Sequence, residues 1–444
     1  MNPAPIPWEF QRPPRARDGQ HRVAFVSTRI AGTDGVSLEI GKWADVLERA
    51  GVSCFYIAGE CDRPADQTVL IPHAHFQHPE IREINAEIFG TTIRSNAITN
   101  KLFQIATDIH NELDQIIGDL DLDALIVENA LTIPMNVPLG VAIVSALQET
   151  SIGCLAHHHD FYWERDRFLV NAVPDLLRYA FPPALGFIQH VVINSVQAEE
   201  FSRRTGQSCW IIPNVMNFAS PPPPPDDYAR TLRAEIGIDD DELLVLQPTR
   251  VVARKGIEHA IELIYRMQRK AKLVISHHGG DEGDAYESRI RDYAKMFDVT
   301  VLFIADRIAD ERGIDGEGRK LFTLGDVYSQ ADLVSYPSEY EGFGNAFLEA
   351  IYHKRPIFCN RYTIFRMDIE PCGFDVVCFE GFLTDDVVKE MLAVLDDSER
   401  CQRMVEHNYQ VANEYFSYEV LERELRTIVE RPQNIYRVLR QREA

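Results

Sequence analysis

The strongest constraint on the fold is an alternation that runs through the chain twice. Short apolar runs, each long enough for one buried strand, trade places with amphipathic stretches of helical spacing. In the first half, Arg22–Thr28, Ser53–Ala58, Asp123–Glu128, Gly153–His157, His190–Asn194 and Ser208–Ile212 read as strands. Val36–Ala50 reads as a helix, with Leu38, Trp43, Val46 and Leu47 near helical spacing, and so does Ala97–Ile117. Ser220 is then followed by five prolines, Pro221–Pro225, which favour a stiff extended spacer. Beyond it the alternation restarts. Leu243–Gln247, Lys272–Ser276, Thr300–Ile304, Asp332–Ser335 and Pro356–Asn360 read as strands. Ile257–Arg269, Tyr286–Phe297, Ala346–His353 and Asp385–Leu395 read as helices, and Arg400–Arg440 is mostly helical, interrupted near Pro432. Alternation of this kind builds a parallel sheet with helices on both faces. Two such runs in 444 residues predict two doubly wound α/β domains.

The expected division is a flexible lead over residues 1–20, a Rossmann-like domain over 21–218 and a proline-rich linker over 219–228. A second Rossmann-like domain follows over 229–415, and a C-terminal helical segment over 416–444. In doubly wound sheets ligands bind beyond the carboxyl ends of the strands. Motifs at those ends are therefore the candidates for chemistry.

Composition removes several classes. A net charge of −23 opposes nucleic-acid binding, which needs a basic surface. No apolar run is long enough for a membrane span, and Met1–Gln20 lacks the apolar core of a signal peptide. The eight cysteines (54, 61, 154, 209, 359, 372, 378 and 401) show no Cys-x-x-Cys spacing, which fits reduced thiols in a cytoplasmic protein. A homodimer is compatible with the sequence.

The most informative motif is Tyr336-Pro337-Ser338-Glu339-Tyr340-Glu341-Gly342-Phe343-Gly344-Asn345-Ala346-Phe347-Leu348-Glu349-Ala350. It reads as a strand end, a glycine-bearing turn and a helix start. Gly342 and Gly344 leave bare amides where the helix begins, a place that suits an anionic group or sugar hydroxyls. Glu341 precedes the turn, and Glu349 is expected about two turns into the helix. Carboxylates so placed can each accept hydrogen bonds from paired hydroxyls.

Four further segments fall at strand ends. Ile30–Val36 is a glycine loop, Gly32-Thr33-Asp34-Gly35, without the G-x-G-x-x-G spacing of dinucleotide binders; alone it reads equally as a tight βα turn. His157-His158-His159-Asp160 suggests a metal. Adjacent histidines on a strand point to opposite faces, so three in a row are not expected to converge on one ion. One of them facing the cleft, to bond a hydroxyl or backbone group, is the preferred reading. In Pro248–Gly256, Arg250 and Lys255 flank a turn that leads into a helix, a combination that fits a diphosphate. Arg254 and Lys255 facing water is the plainer alternative. His277–Asp284 either lines the same pocket or is a surface loop. The D-x-D spacing of Asp119–Asp123 and the acidic stretch Asp310–Glu317 both read as loops rather than cation sites.

With these segments in this order, the chain resembles the retaining glycosyltransferases of family 4, which have the GT-B architecture. The resemblance runs from about Arg22 to Phe416 and is strongest between Pro248 and Asn360. It implies two Rossmann-like domains across a donor cleft, the first binding the acceptor and the second a nucleotide sugar. A last helix starting near Phe416-Ser417-Tyr418 would cross back to the first domain. It implies further that Arg250 and Lys255 hold the donor diphosphate, that Glu349 bonds the ribose hydroxyls, and that Glu341 bonds the transferred sugar with help from the backbone of Gly342, Phe343, Gly344 and Asn345. His159 resembles the histidine that contacts the donor sugar, and Gly32 to Gly35 the loop that closes over diphosphate and acceptor. The chain departs from the family pattern at Pro213-Asn214-Val215-Met216-Asn217, in its Thr-Asp-Gly first loop and at Ile351–Arg355.

The expected activity is transfer of a hexose from a nucleotide-diphosphate sugar to the hydroxyl of a small soluble acceptor, with retention. No cofactor and no essential metal are expected. A non-catalytic nucleotide-sugar-binding regulator on the same fold, or a nucleotide-sugar epimerase, is the alternative.

Overall fold

The computed structural model describes residues 21–32, 34–150, 152–279 and 285–430. These form two compact units. One comprises the described residues up to Pro213 together with Tyr418–Glu430, and the other comprises Asn214–Ser417.

The first unit carries a seven-stranded sheet: β1 (Arg22–Val26), β2 (Ser53–Ala58), β3 (Thr68–Leu70), β4 (Ala124–Glu128), β5 (Gly153–His158), β6 (Ile188–Val192) and β7 (Trp210–Ile211). Its order is β3-β2-β1-β4-β5-β6-β7, with every pair parallel. β4 is buried at every position, as a strand covered on both faces must be. The helix Asn96–Asp119 begins at Ser95, whose hydroxyl accepts the Ile98 N–H, and it buries Ile98, Leu102, Ile105, Ile109, Leu113 and Ile117 along one stripe. Against it packs the helix Val137–Thr150, apolar on nearly every side. The strand order reverses between β1 and β4, so that junction is the topological switch point of this sheet.

The second unit carries β8 (Leu243–Gln247), β9 (Ala271–Ile275), β10 (Thr300–Phe303), β11 (Gly313–Ile314), β12 (Lys320–Leu321), β13 (Leu333–Tyr336), β14 (Ile357–Asn360) and β15 (Val377–Phe379). Six of these form a parallel sheet of order β10-β9-β8-β13-β14-β15, and β11 and β12 make a separate antiparallel pair. The switch point here lies between β8 and β13. The α/β expectation of two doubly wound sheets is therefore the architecture observed.

The boundaries differ from those expected. The division falls at Pro213/Asn214, ahead of the polyproline run. Phe218 sets its ring edge-on to Tyr352 and Tyr409, and Tyr352 donates to the Ser220 carbonyl at 2.7 Å, so the segment before the prolines is already anchored in the second unit. At the other end, Phe416 packs on Phe343 and Phe374, and the second unit runs to Ser417. Within Arg400–Arg440 the described residues form two helices, Ser398–Tyr415 and Tyr418–Glu430, and the break at Phe416-Ser417 falls where the last helix is expected to start. The second of these groups with the first unit, where the Tyr418 hydroxyl reaches Asp45 and the Arg49 guanidinium covers the Tyr418 ring. The lead 1–20 and the region around Pro432 lie outside the described residues. Strand β6 sits two residues earlier than expected because Asn194 is used as a helix cap, accepting the Gln197 N–H at 2.7 Å.

The eight cysteines are unpaired. Among the described residues no helix is long and apolar enough to cross a membrane.

Candidate active site

At the switch point of the second sheet, the loops leaving β8 and β13 meet. The first loop closes with a short turn, Ala253–Lys255, and then Gly256, whose φ is +57°. A Cβ at Gly256 would lie 2.6 Å from the Pro337 carbonyl, so glycine here permits the two loops to touch. They are joined by a hydrogen bond from the Glu339 N–H to the Arg254 carbonyl at 2.9 Å. The Glu341 carboxylate then takes two of the first loop's three cations. One oxygen pairs with Lys255 Nζ, and the other accepts from Arg254 Nη1 at 3.2 Å. Arg254 Nη1 also donates to the Tyr340 carbonyl.

Lys255 and Glu341 are both buried, each 8 % exposed. Burial alone would raise the Glu341 carboxyl, but the charges of Lys255 and Arg254 outweigh it and hold the group below the usual carboxylate range. Burial pushes the Lys255 ammonium down, against the pull of Glu341 and with the repulsion of Arg254 and Arg250. The result is a dry, cation-rich corner in which a single carboxylate faces two positive side chains.

The loop after β13 enters the helix Asn345–Tyr352 through Gly344, with φ +135° and no side chain capping the helix start. A Cβ at Gly344 would lie 2.6 Å from the Tyr362 hydroxyl, which itself donates to the Phe343 carbonyl at 2.7 Å. Gly344→Ala is expected to destabilise by about 1–3 kcal/mol from the backbone conformation alone, and chemical denaturation measures this. An unchanged midpoint would show that the turn is not held in this conformation.

Glu349 is the fifth residue of its helix, one turn in rather than two, because the helix starts as late as Asn345. Its carboxylate accepts from the buried Tyr328 hydroxyl at 2.9 Å. Asn345 Oδ1 accepts from Asn214 Nδ2 at 2.6 Å. Arg250 is exposed; it is Arg254, not Arg250, that joins Lys255 on Glu341. His277 shares this corner. Burial first, then the charges of Lys255 and Arg250, lowers it to about 4, so it is neutral at physiological pH. Its Nδ1 meets Ser276 Oγ at 2.9 Å. The rest of the expected loop, 280–284, lies outside the described residues.

In the first unit, Gly32 has φ +74° and donates its N–H to Asp62 at 2.7 Å, while Thr33 lies outside the described residues. Asp34 caps the following helix, accepting from the Val36 and Ser37 N–H groups, and pairs with Arg29 at 3.0 Å. Gly35 is the first helical residue rather than part of a free loop. The amides at this helix start are thus already engaged by a carboxylate of the chain itself.

The histidine run alternates between faces as expected, so the three do not converge, but two of them meet on a residue of the neighbouring strand. Strand alternation sends His158 one way, to a 2.9 Å contact with His190. It sends His157 and His159 the other way, toward Glu128 at the end of the neighbouring β4. Glu128 is fully buried. Its carboxylate meets His157 Nδ1 at 3.0 Å and His159 Nε2 at 3.2 Å. Burial would raise its pKa, and the two imidazoles outweigh this and bring it to about 2. His159 is also fixed through its backbone: the N–H donates to Asn129 Oδ1 at 2.7 Å and the carbonyl accepts from Gln197 Nε2 at 2.8 Å. Asn129 holds φ +57°, a conformation asparagine tolerates better than most residues. Two groups among the described residues bring three metal-capable donor atoms within 4.8 Å of one another: Glu128, His157 and His159, which are buried, and His73, His78 and Glu80, which are half-buried.

Comparison with known proteins shows the family of the chain. Residues 318–411, which contain Glu341 and Glu349, match the family described as glycosyl transferases group 1. Over 379 residues the chain is 34 % identical to the mannosylglucosylglycerate synthase of Petrotoga mobilis, covering 80 % of this chain and 86 % of that protein. The chain belongs to this family of glycosyltransferases. The mannosylglucosylglycerate synthase of Thermotoga maritima is 30 % identical over 434 residues, 90 % of this chain and 98 % of the relative. A glycosyltransferase structure from Rickettsia africae superposes with a TM-score of 0.64 at 12 % identity, covering 93 % of this chain and all of that one. The structural neighbours are GT-B glycosyltransferases, and the two Rossmann-like sheets of this glycosyltransferase share their fold.

Three residues of this glycosyltransferase escaped the sequence reading. Arg254 lies in the same turn as Lys255, but the pair expected to hold the diphosphate is Arg250 and Lys255. Glu128 and Asn129 stand at the end of an apolar strand, where a charged residue in a buried run is itself a signal.

Proposed function

We propose that this glycosyltransferase moves a hexose from a nucleotide-diphosphate sugar to the hydroxyl of a small acceptor, with retention at the anomeric carbon. The observation that carries the proposal is the buried Lys255–Glu341–Arg254 cluster at a sheet switch point, beside an uncapped helix start. An activated sugar already has a good leaving group, so the enzyme's task is to stabilise charge growing on the departing diphosphate. Lys255, Arg254, Arg250 and the amides of Gly342, Phe343, Gly344 and Asn345 supply positive potential for that without a metal on the leaving group.

The ion pair suggests how the site is kept ready. Without donor, Glu341 neutralises Lys255 in a low-dielectric corner. An incoming diphosphate takes over Lys255 and Arg254, and Glu341 is released to accept hydroxyls of the sugar. Glu349, one turn along the helix, is assigned to the ribose hydroxyls. With Glu341 and Glu349 both assigned to hydroxyls, no carboxylate of these motifs is left as a nucleophile on the reacting face, so attack from the leaving-group face, with the donor phosphate taking the acceptor proton, is the mechanism assigned. The reading places the enzyme in the cytoplasm, where nucleotide sugars are available.

The shared name of the two relatives supplies the product to test first, mannosylglucosylglycerate. Purified protein is incubated with GDP-, UDP- and ADP-hexoses and glucosylglycerate, and the new anomeric proton is read by NMR. The expected result is one new glycoside whose anomeric configuration equals that of the donor. An inverted product, or an epimerised donor without transfer, would contradict the reading.

A further inference from the structure

We infer that Glu128, His157 and His159 form a binding site for one divalent transition-metal ion, with zinc the best match to their donor set. Two imidazole nitrogens and a carboxylate oxygen are the ligands zinc takes when it keeps a fourth position open. All three side chains are within a tenth of complete burial, at 0 %, 1 % and 9 % exposure. Their donor atoms already lie within 4.8 Å of one another. At metal–ligand bonds of about 2.1 Å, tetrahedral ligand atoms stand roughly 3.4 Å apart. The Glu128 contacts with His157 and His159, at 3.0 and 3.2 Å, are close to that spacing. They are also longer than the roughly 2.7–2.9 Å of charge-assisted hydrogen bonds.

The charge distribution favours a cation. Glu128 is a fully buried carboxylate whose ion-pair partners among the described residues are imidazoles, not Lys or Arg. Burying a carboxylate without a fixed counter-charge is costly, and a bound dication supplies one. Packing and backbone hydrogen bonds hold the segment in place. His157 stacks on Trp43 with centroids 4.3 Å apart, and Asn129 and Gln197 hold the His159 backbone from both sides. The ligands come from the ends of two adjacent strands, β4 and β5, next to the first sheet's switch point.

The ion is not assigned to the leaving group. It organises the segment that carries His159, and its presence is independent of the donor site built on Lys255. The test uses the full-length chain stripped with chelator and titrated with Co²⁺, which reports tetrahedral or five-coordinate binding through visible d–d absorption. One equivalent is expected to bind with such bands, Zn²⁺ is expected to displace it, and Zn²⁺ is expected to raise the melting temperature. His159→Ala, at the position least able to disturb the core, and Glu128→Gln should each weaken Co²⁺ binding by more than the roughly 10–100-fold that loss of an outer partner costs. His73→Ala should leave the bands unchanged. Absence of d–d bands, equal Co²⁺ affinity in a folded His159→Ala protein, or bands that vanish in His73→Ala would each overturn the assignment. Binding of GDP or UDP is measured alongside, so failure of the metal site and failure of the donor site read out separately.

Discussion

Lys255→Ala is expected to lower turnover by roughly 10²–10³-fold, the range seen when one preorganised group facing transition-state charge is removed. The loss should fall mainly on kcat, because charge on the diphosphate is greatest as the sugar departs. The variant should still fold. Arg254 stays on Glu341 at 3.2 Å and keeps the buried carboxylate partly compensated. Far-UV circular dichroism and the kinetic constants together check this. A folded Lys255→Ala protein with near-normal kcat would remove Lys255 from the catalytic account.

The second large effect is on stability. Glu341→Ala strands the Lys255 ammonium in a buried corner already repelled by Arg254 and Arg250. Removing one partner of a buried pair costs about 3–5 kcal/mol. Replacing both partners by apolar residues, Lys255→Met with Glu341→Leu, should recover most of that loss, since the one charge then left without Glu341 is the half-exposed Arg254, which keeps its bond to the Tyr340 carbonyl. A urea denaturation series on the wild type, Lys255→Met, Glu341→Leu and the double variant measures the coupling. Strictly additive losses would mean that the two side chains do not interact in the folded protein. The same double variant should be inactive, separating the stability of the corner from its chemistry.

The sequence announced the parts of this architecture that rest on short-range patterns. Alternating apolar runs and amphipathic stretches located most strands of both sheets. The Glu341–Ala350 block located a glycine turn at the end of β13, because glycines at a helix start leave few other readings. What it could not convey is which loops meet. Arg254 looks like any exposed arginine in a turn until Gly256 lets its loop lie against Pro337, and only then does its guanidinium reach Glu341. Glu128 and His159 are 31 positions apart, and their contact depends on the parallel register of β4 with β5. The helix Val137–Thr150 carries no periodic signal in the sequence, because its residues are buried on nearly every side. The polyproline run is the strongest compositional break in the chain. It does not mark the division between the units, because aromatic packing around Phe218 draws the preceding residues into the second one.

The central claim is that the corner built from Lys255, Arg254 and Glu341 receives the donor diphosphate. Thermal and urea stability of the full-length chain, measured with GDP, UDP and ADP, tests it most directly. A nucleotide that binds the folded state alone, present at about 100 times its Kd, should add roughly 2.7 kcal/mol of stability. The account predicts that increment for one of the three nucleotides in the wild type and its loss in Lys255→Ala. Equal stabilisation of the wild type and a folded Lys255→Ala protein by the same nucleotide would contradict it.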